Sequence, residues 1–249
     1  MKVSIITDVL NSENTLEESI LSVLNQDYEN IEYIIVDGWS TDGTLKIIDK
    51  YMKGISKFIS EPDKNHFDAM NKGIRLASGD IIGFLHADDI FADNFVIRKI
   101  AEEFIRKDID CVWGDLLYVD KEDTDKIVRW WKSSEYKKDL FRKGWMPAHP
   151  TFFVKREVYE KHGNFNLDLP IAGDYEIMLR FLHKCGIKGS YIPEVLVKMR
   201  LGGLSNQSLK NIIQKSSEDL KAWQVNGFSR SLGTLFLKNI SKVSQFFVK

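Results

Sequence analysis

Ser78-Gly79-Asp80-Ile81-Ile82-Gly83-Phe84-Leu85-His86-Ala87-Asp88-Asp89 sets an apolar run, Ile81 to Leu85 broken only by Gly83, directly before two adjacent carboxylates. A run without polar alternation reads as a strand buried on both faces, the pattern of a parallel sheet covered by helices. In open α/β sheets the carboxyl ends of such strands face the ligand crevice. Two neighbouring carboxylates there repel each other unless a cation or a hydroxyl-rich ligand compensates them. A solvated acidic turn is the bland alternative.

Working back towards the N-terminus, the same pattern recurs. Val3 to Thr7 and Glu32 to Val36 are short apolar strands, and Phe58 to Ser60 is a third. Helical spacing of Leu16, Ile20, Val23 and Leu24, then Leu45 to Met52 and Asp68 to Leu76, places a helix after each strand. Strand–helix alternation predicts βαβ units and a largely parallel sheet. Right-handed crossovers bring the strand ends at Asp8, Asp37 and Asp88-Asp89 to one rim. That rim has no G-x-G-x-x-G and no G-x-x-x-x-G-K-[ST], so a phosphate there needs a metal or basic side chains.

Working forward, the pattern is less regular. A helix is expected over 94–106, strands over 110–119, 127–131 and 151–154, a short helix over 156–162 and a longer one over 175–184. A late strand covers 191–197, and a polar amphipathic helix follows over 209–223. The composition, 43% hydrophobic and 29% charged with a formal net charge of −1, is that of a globular protein and disfavours a nucleic-acid partner. The two cysteines, Cys111 and Cys185, lack metal-type spacing and read as free buried thiols of a reducing compartment. No secretory h-region follows Met1, and no apolar run reaches spanning length, which predicts a soluble or surface-attached cytoplasmic protein.

The motifs, taken in order, resemble the family 2 glycosyltransferases of the GT-A fold, particularly those that build bacterial surface polysaccharides. The matching pieces are Val3-Ser4-Ile5-Ile6-Thr7 with Asn11, Ser22 to Gln26, Glu32 to Gly38 with Ser40-Thr41-Asp42-Gly43-Thr44, and Ser60-Glu61-Pro62-Asp63-Lys64. They continue through Asp68 to Gly73, Gly79 to Ile82 with Asp88-Asp89, His149 to Phe153, Gly173-Asp174-Tyr175 and Gly202-Gly203-Leu204-Ser205. The resemblance implies an α/β fold, a GT-A (Rossmann-like) mixed, largely parallel sheet flanked by helices, with a C-terminal helical tail. It divides the chain into a glycosyltransferase domain over 1–225, with a nucleotide-sugar-binding half (1–120) and an acceptor-side half (121–225), and a tail over 226–249.

The expected activity is inverting transfer of a sugar from a nucleotide-diphosphate sugar, UDP-linked, to a hydroxyl of a glycan or lipid-linked acceptor. The resemblance assigns Thr7, Asn11, Asp37, Lys72 and Asp88 to the donor nucleotide. It assigns Asp89 to a divalent cation, Mn²⁺ or Mg²⁺, and Asp174 to general-base catalysis. His149 and Arg200 are candidates for contacts to the diphosphate or the acceptor. A catalytically silent sugar-nucleotide-binding or scaffolding subunit is the alternative reading. The chain departs from the family's pattern at Leu10, where an aromatic residue is usual, at Trp39, in place of a small residue, at His66-Phe67, and at His86. The tail is basic, and Leu232, Leu235, Phe236, Ile240, Val243 and Phe247 recur at helical spacing. It either lies on an anionic membrane surface or docks on the domain or on a second copy.

Overall fold

A computed structural model describes residues 1–202, 209–229 and 232–241. The chain opens with β1 (Val3–Val9), α1 (Leu16–Leu24), β2 (Ile31–Asp37), α2 (Thr44–Lys50), β3 (Lys57–Ser60), α3 (His66–Leu76) and β4 (Ile81–Phe84). It continues through β5 (Asp89–Phe91), α4 (Val96–Arg106), β6 (Cys111–Val119), β7 (Ile127–Trp131), β8 (Phe153–Lys155) and α5 (Arg156–His162). Then come α6 (Gly173–Met178), β9 (Gly189–Arg200), α7 (Leu209–Val225) and α8 (Leu232–Ser241). A π-helical turn, Leu179–Lys184, extends α6.

One mixed sheet runs β3-β2-β1-β4-β8-β6-β9-β5, with β7 paired to β6. β3, β2, β1 and β4 are parallel, as the βαβ pattern requires, whereas β8 runs antiparallel between β4 and β6. β1 is the first strand of the chain yet sits third in the sheet, so the chain leaves it on one side towards β2 and returns on the other to β4. This is the topological switch point, where such sheets open a crevice. Ile5, Ile6, Ile34, Ile35, Ile81 and Ile82 are fully buried, which is why these strands show no polar alternation.

Two local contacts lock this half. A Cβ built on Gly83 would lie 2.0 Å from Cε1 of Phe153, so the glycine lets β8 close against β4. At the opposite edge of the strands, buried Glu32 accepts from Ser4 Oγ (2.7 Å), from the Ser78 amide (2.7 Å) and hydroxyl (2.7 Å), and from Lys2 Nζ (2.9 Å). Burial opposes its charge, but these donors hold the carboxyl far below the usual range.

The opening stretch ends differently from its sequence reading. β4 stops at Phe84, and the carboxylate pair does not sit on its end: Asp89 starts β5, a three-residue strand paired antiparallel to β9. Too short to carry periodicity, β5 is invisible to pattern reading. Of the thiols, Cys111 is buried and Cys185 half-buried, both free.

In the tail, α8 packs against the segment 140–143 and against α7. Its Lys238 is buried, bonded to Asp219 at 2.7 Å and lying 3.4 Å from the centre of the Tyr175 ring. Gly144, at φ +82°, admits the Lys238 backbone. This docked arrangement is one of the two expected of the tail; Arg230, Lys242, Val243, Phe247 and Lys249 lie outside the described residues, as does Gly203-Leu204-Ser205. Among the described residues no helix is long and apolar enough to cross a membrane.

Candidate active site

A cavity of about 610 Å³ opens at the carboxyl ends of β1 and β4. Its wall includes Asp8, Leu10, Gly38, Asp63, Lys64, His66, Phe67, His86, Asp88, His149, Asp174 and Gly202. This is ample for a small-molecule ligand, and the wall is unusually acidic for one.

Sheet register explains the first pair. Ile6 lies opposite Phe84 across β1 and β4, so Asp8 and His86, two residues further on each strand, project on the same side and meet. His86 Nδ1 lies 2.7 Å from Asp8 Oδ1. Burial disfavours the imidazolium, but Asp8, with Asp89 and Asp88, pushes the histidine up to about 10. The partnership also overcomes the burial of Asp8 and lowers its carboxyl. A fixed ion pair therefore stands at the switch point.

The carboxylate pair divides. Asp88 lines the cavity, and its side chain makes no hydrogen bond or ion pair among the described residues. Asp89 is fully buried off the cavity wall, and neither of its oxygens has a hydrogen-bond partner among the described residues. Burial, and then neighbouring Asp88, push its carboxyl well above the usual range. An orphaned carboxyl beside an open one fits the neighbourhood of a divalent cation, whose charge would relieve both. Asp88 is the carboxylate of the pair that faces the cavity and could hold such a cation. Among the described residues no three His, Cys, Asp or Glu side chains converge, so a cation here would complete its shell from a bound ligand and water.

Asp174 enters the same cavity from the first turn of α6. The approach is fixed from two sides. Glu218 of α7 accepts from the amides of Ile171 (2.8 Å) and Ala172 (2.9 Å), and Gly173 packs so closely on Phe67 that a Cβ there would lie 2.6 Å from its ring. The small residue before Asp174 thus serves packing against α3. Asp174 Oδ1 accepts from the Tyr175 amide at 2.7 Å, and its Oδ2 lies 3.4 Å from His149 Nδ1. Burial works to raise the carboxyl, but the positive charges of Lys215 and Lys238 and that amide hold it below its ordinary value. Burial drives His149 itself down to about 4, so at neutral pH it stands beside Asp174 uncharged. His149 and His86 rings stand 6.0 Å apart, which links the two ends of the polar wall.

The other expected site residues stand behind the wall. The Thr7 hydroxyl is buried, donates to the Leu85 carbonyl at 2.7 Å and accepts from Tyr33. Asp37 is fully buried and accepts from the Trp39 amide (3.2 Å), the Ser40 amide (3.1 Å) and the Ser60 hydroxyl (2.6 Å). Asn11, at φ +50°, accepts from the Thr41 amide at 2.8 Å and ties the loop after β1 to the loop after β2. Lys72 pairs with Asp63 (2.7 Å) and Glu61 (2.9 Å). Arg200 is buried, pairs with Glu18 and donates to the Asp88 carbonyl at 2.8 Å, so it braces the acidic turn from below. Pattern reading missed Asp63 and the Asp8–His86 pair; the equal spacing of Asp8 and His86 beyond their strands was the available signal.

Comparison with known proteins follows the same outline. The family model described as "Glycosyl transferase family 2" matches residues 4–163. An uncharacterized glycosyltransferase of Mycobacterium tuberculosis (strain CDC 1551 / Oshkosh) is 34% identical over 189 residues, 74% of this chain and 70% of the relative. One from Haemophilus influenzae is 30% identical, covering 97% of this chain and 78% of the relative. A PGL/p-HBAD biosynthesis glycosyltransferase of Mycobacterium bovis (strain BCG) is 28% identical, covering 82% and 78%.

Among solved structures, Staphylococcus aureus TarS 1-349 in complex with UDP-GlcNAc superposes with a TM-score of 0.67 at 16% identity, over 94% of this chain and 75% of that one. The mannosyltransferase PcManGT of Pyrobaculum calidifontis, in complex with GDP-Man and Mn²⁺, gives 0.67 at 16%, over 97% and 69%. Against a longer TarS chain the match spans 44% of that chain. At these identities the structures establish a shared fold, the mixed α/β architecture described above.

Proposed function

The chain belongs to the family 2 glycosyltransferases, and on that premise we propose that it transfers a sugar, with inversion, from a nucleotide-diphosphate sugar to an acceptor hydroxyl. The observation that carries this reading is the placement of one ionised carboxylate, Asp174, in the same cavity as the open Asp88 at the switch point. An inverting displacement needs a single base at the attacking oxygen and charge compensation at the leaving group, and the cavity offers one of each.

Asp174, held ionised with its Oδ2 beside His149, takes the proton as the acceptor oxygen attacks the anomeric carbon. His149 stands against that carboxylate as a neutral imidazole and positions it. Asp88 holds a divalent cation, Mn²⁺ or Mg²⁺, which when bound supplies positive charge for the diphosphate that the acidic wall would otherwise repel. This moves the cation from Asp89, where the resemblance put it, to Asp88, which lines the cavity while Asp89 is buried off it. Asp37 and Asn11 shape the loops that receive the nucleoside, Lys72 orients Asp63, and Arg200 fixes the Asp88 backbone.

The structural neighbours support a nucleotide-sugar donor, since TarS is in complex with UDP-GlcNAc and PcManGT with GDP-Man and Mn²⁺. We take the donor to be UDP-linked and the acceptor to be a glycan or a lipid-linked sugar, in surface-polysaccharide synthesis. The test is a panel of nucleoside-diphosphate sugars, each with and without Mn²⁺ or Mg²⁺, assayed for nucleoside diphosphate release. One donor should turn over only with metal, and Asp88→Ala should lose the metal-dependent rate by at least about 100-fold. Turnover insensitive to metal and to Asp88→Ala would overturn the assignment. Metal-dependent binding without release would favour the silent subunit instead.

A further inference from the structure

Three non-glycine residues among those described have a left-handed backbone: Asn11, Trp39 and Asp139. Asparagine and aspartate tolerate this region because a short polar side chain bonds locally; a bulky aromatic residue does not. Trp39 sits there at φ +73° with 64% of its surface exposed. Its indole has no ring, cation or hydrogen-bond partner among the described residues. The conformation is imposed by the turn, since buried Asp37 captures the amides of both Trp39 and Ser40. Glycine would adopt the same turn without strain. Asp37 holds the backbone, but among the described residues nothing covers the exposed indole, and a strained turn that presents such a group marks a ligand site.

The surroundings say which part of a ligand belongs there. Gly38, the preceding residue, lines the cavity and bonds its amide to the Val9 carbonyl at 2.8 Å, joining the ends of β1 and β2. Leu10, also lining the cavity and 57% exposed, is 3.6 Å from where a Gly38 Cβ would stand. Asp63 reaches the same corner, its Oδ2 2.9 Å from that Cβ position, and the β1 loop brings no aromatic side chain to it. The end of β2 lies two strand spacings, about 10 Å, from the end of β4. With the diphosphate at Asp88 and the transferred sugar at Asp174, the moiety that reaches the β2 corner is the nucleobase.

We infer that Trp39 is the stacking platform for the donor's nucleobase, with Leu10 as its aliphatic neighbour. This rests on the nucleotide-sugar reading above. An indole face binds any base, so Trp39 supplies affinity and the neighbouring backbone must supply choice among bases. Asp37 holds the strained turn in the free fold, and a bound base would cover the indole that the turn exposes.

The experiment compares the full chain with Trp39→Gly and Trp39→Phe, using UDP, GDP, dTDP and ADP with Mg²⁺ as probes and inorganic pyrophosphate with Mg²⁺ as control. Calorimetry gives affinities, and thermal unfolding without ligand gives stability. Trp39→Gly should unfold at or above the wild-type temperature yet bind the preferred nucleoside diphosphate about 5- to 150-fold more weakly. Pyrophosphate binding should be unchanged, and Trp39→Phe should keep most of the nucleotide affinity. Nucleotide binding by Trp39→Gly equal to wild type, or an equal loss towards pyrophosphate, would overturn the platform while leaving the donor class intact. Binding of none of the four nucleotides by the wild type would remove the donor reading and the platform together.

Discussion

Asp88 and Asp89 are adjacent in the chain yet meet opposite surroundings, and the difference is a matter of backbone direction. β5 begins at Asp89 and turns it inward against β9, while Asp88 remains on the cavity wall with Arg200 gripping its carbonyl. A similar separation of roles applies to the histidines. His86 is held charged by Asp8, whereas His149, half-buried beside Asp174, is held neutral down to about pH 4. The folded value for His149 lies below its unfolded value of 6.5, so between these limits the unfolded chain binds a proton that the native chain does not. This group therefore makes stability rise with pH from about 4 to 6.5, with no further change above or below. His149→Gln should flatten that part of the profile, measured by urea unfolding at pH 4, 5, 6 and 7. An unchanged slope in the variant would show that His149 titrates normally. The same variant should lower kcat more than the affinity for donor, since it loosens the base and leaves the nucleotide corner untouched.

At the scale of elements, close packing determines where each functional side chain stands. Gly83 illustrates the tolerance: Phe153 of β8 occupies the space a side chain would need, and β8 in turn follows the turn that carries His149. Gly83→Ala should therefore destabilise the fold by about 1–3 kcal/mol through overpacking. Phe153→Leu should recover part of that loss in the double variant, a coupling that denaturant unfolding can read. Additive losses would mean that the strand relaxes without touching Phe153. The helices act alike: Gly173 on Phe67 and Glu218 on the Ala172 amide fix the start of α6, so Asp174 is placed by α3 and α7 together. None of these long-range constraints has a local signature in the sequence.

At the scale of the molecule, the first half was legible because each parallel strand is buried on both faces and each crossover helix has an apolar stripe. β1 to β4 and α1 to α3 follow from that periodicity alone, within two residues at each end. The second half resisted because its strands are short, antiparallel or irregular: β5 has three residues, β8 has three, and β6 changes register against β9. The site was legible as a set of strand ends and motif residues, Asp88, His149 and Asp174 among them. Which residues face the ligand was not, because facing depends on register across β1 and β4 and on the direction of β5. That is why Thr7, Asp37 and Arg200 stand behind the wall, and Asp8 and Asp63 stand in it.

The central claim is that Asp174 is the base of an inverting transfer in a cavity that binds a nucleotide-diphosphate sugar. Its most direct test is the separation of binding from turnover in Asp174→Asn, with the donor found by the panel. Asp174→Asn should bind the donor and its nucleoside diphosphate within about threefold of wild type by calorimetry. Its transfer rate should fall by about 100- to 10,000-fold, the usual contribution of a positioned general base. Transfer at the wild-type rate, or loss of donor binding along with turnover, would contradict the account.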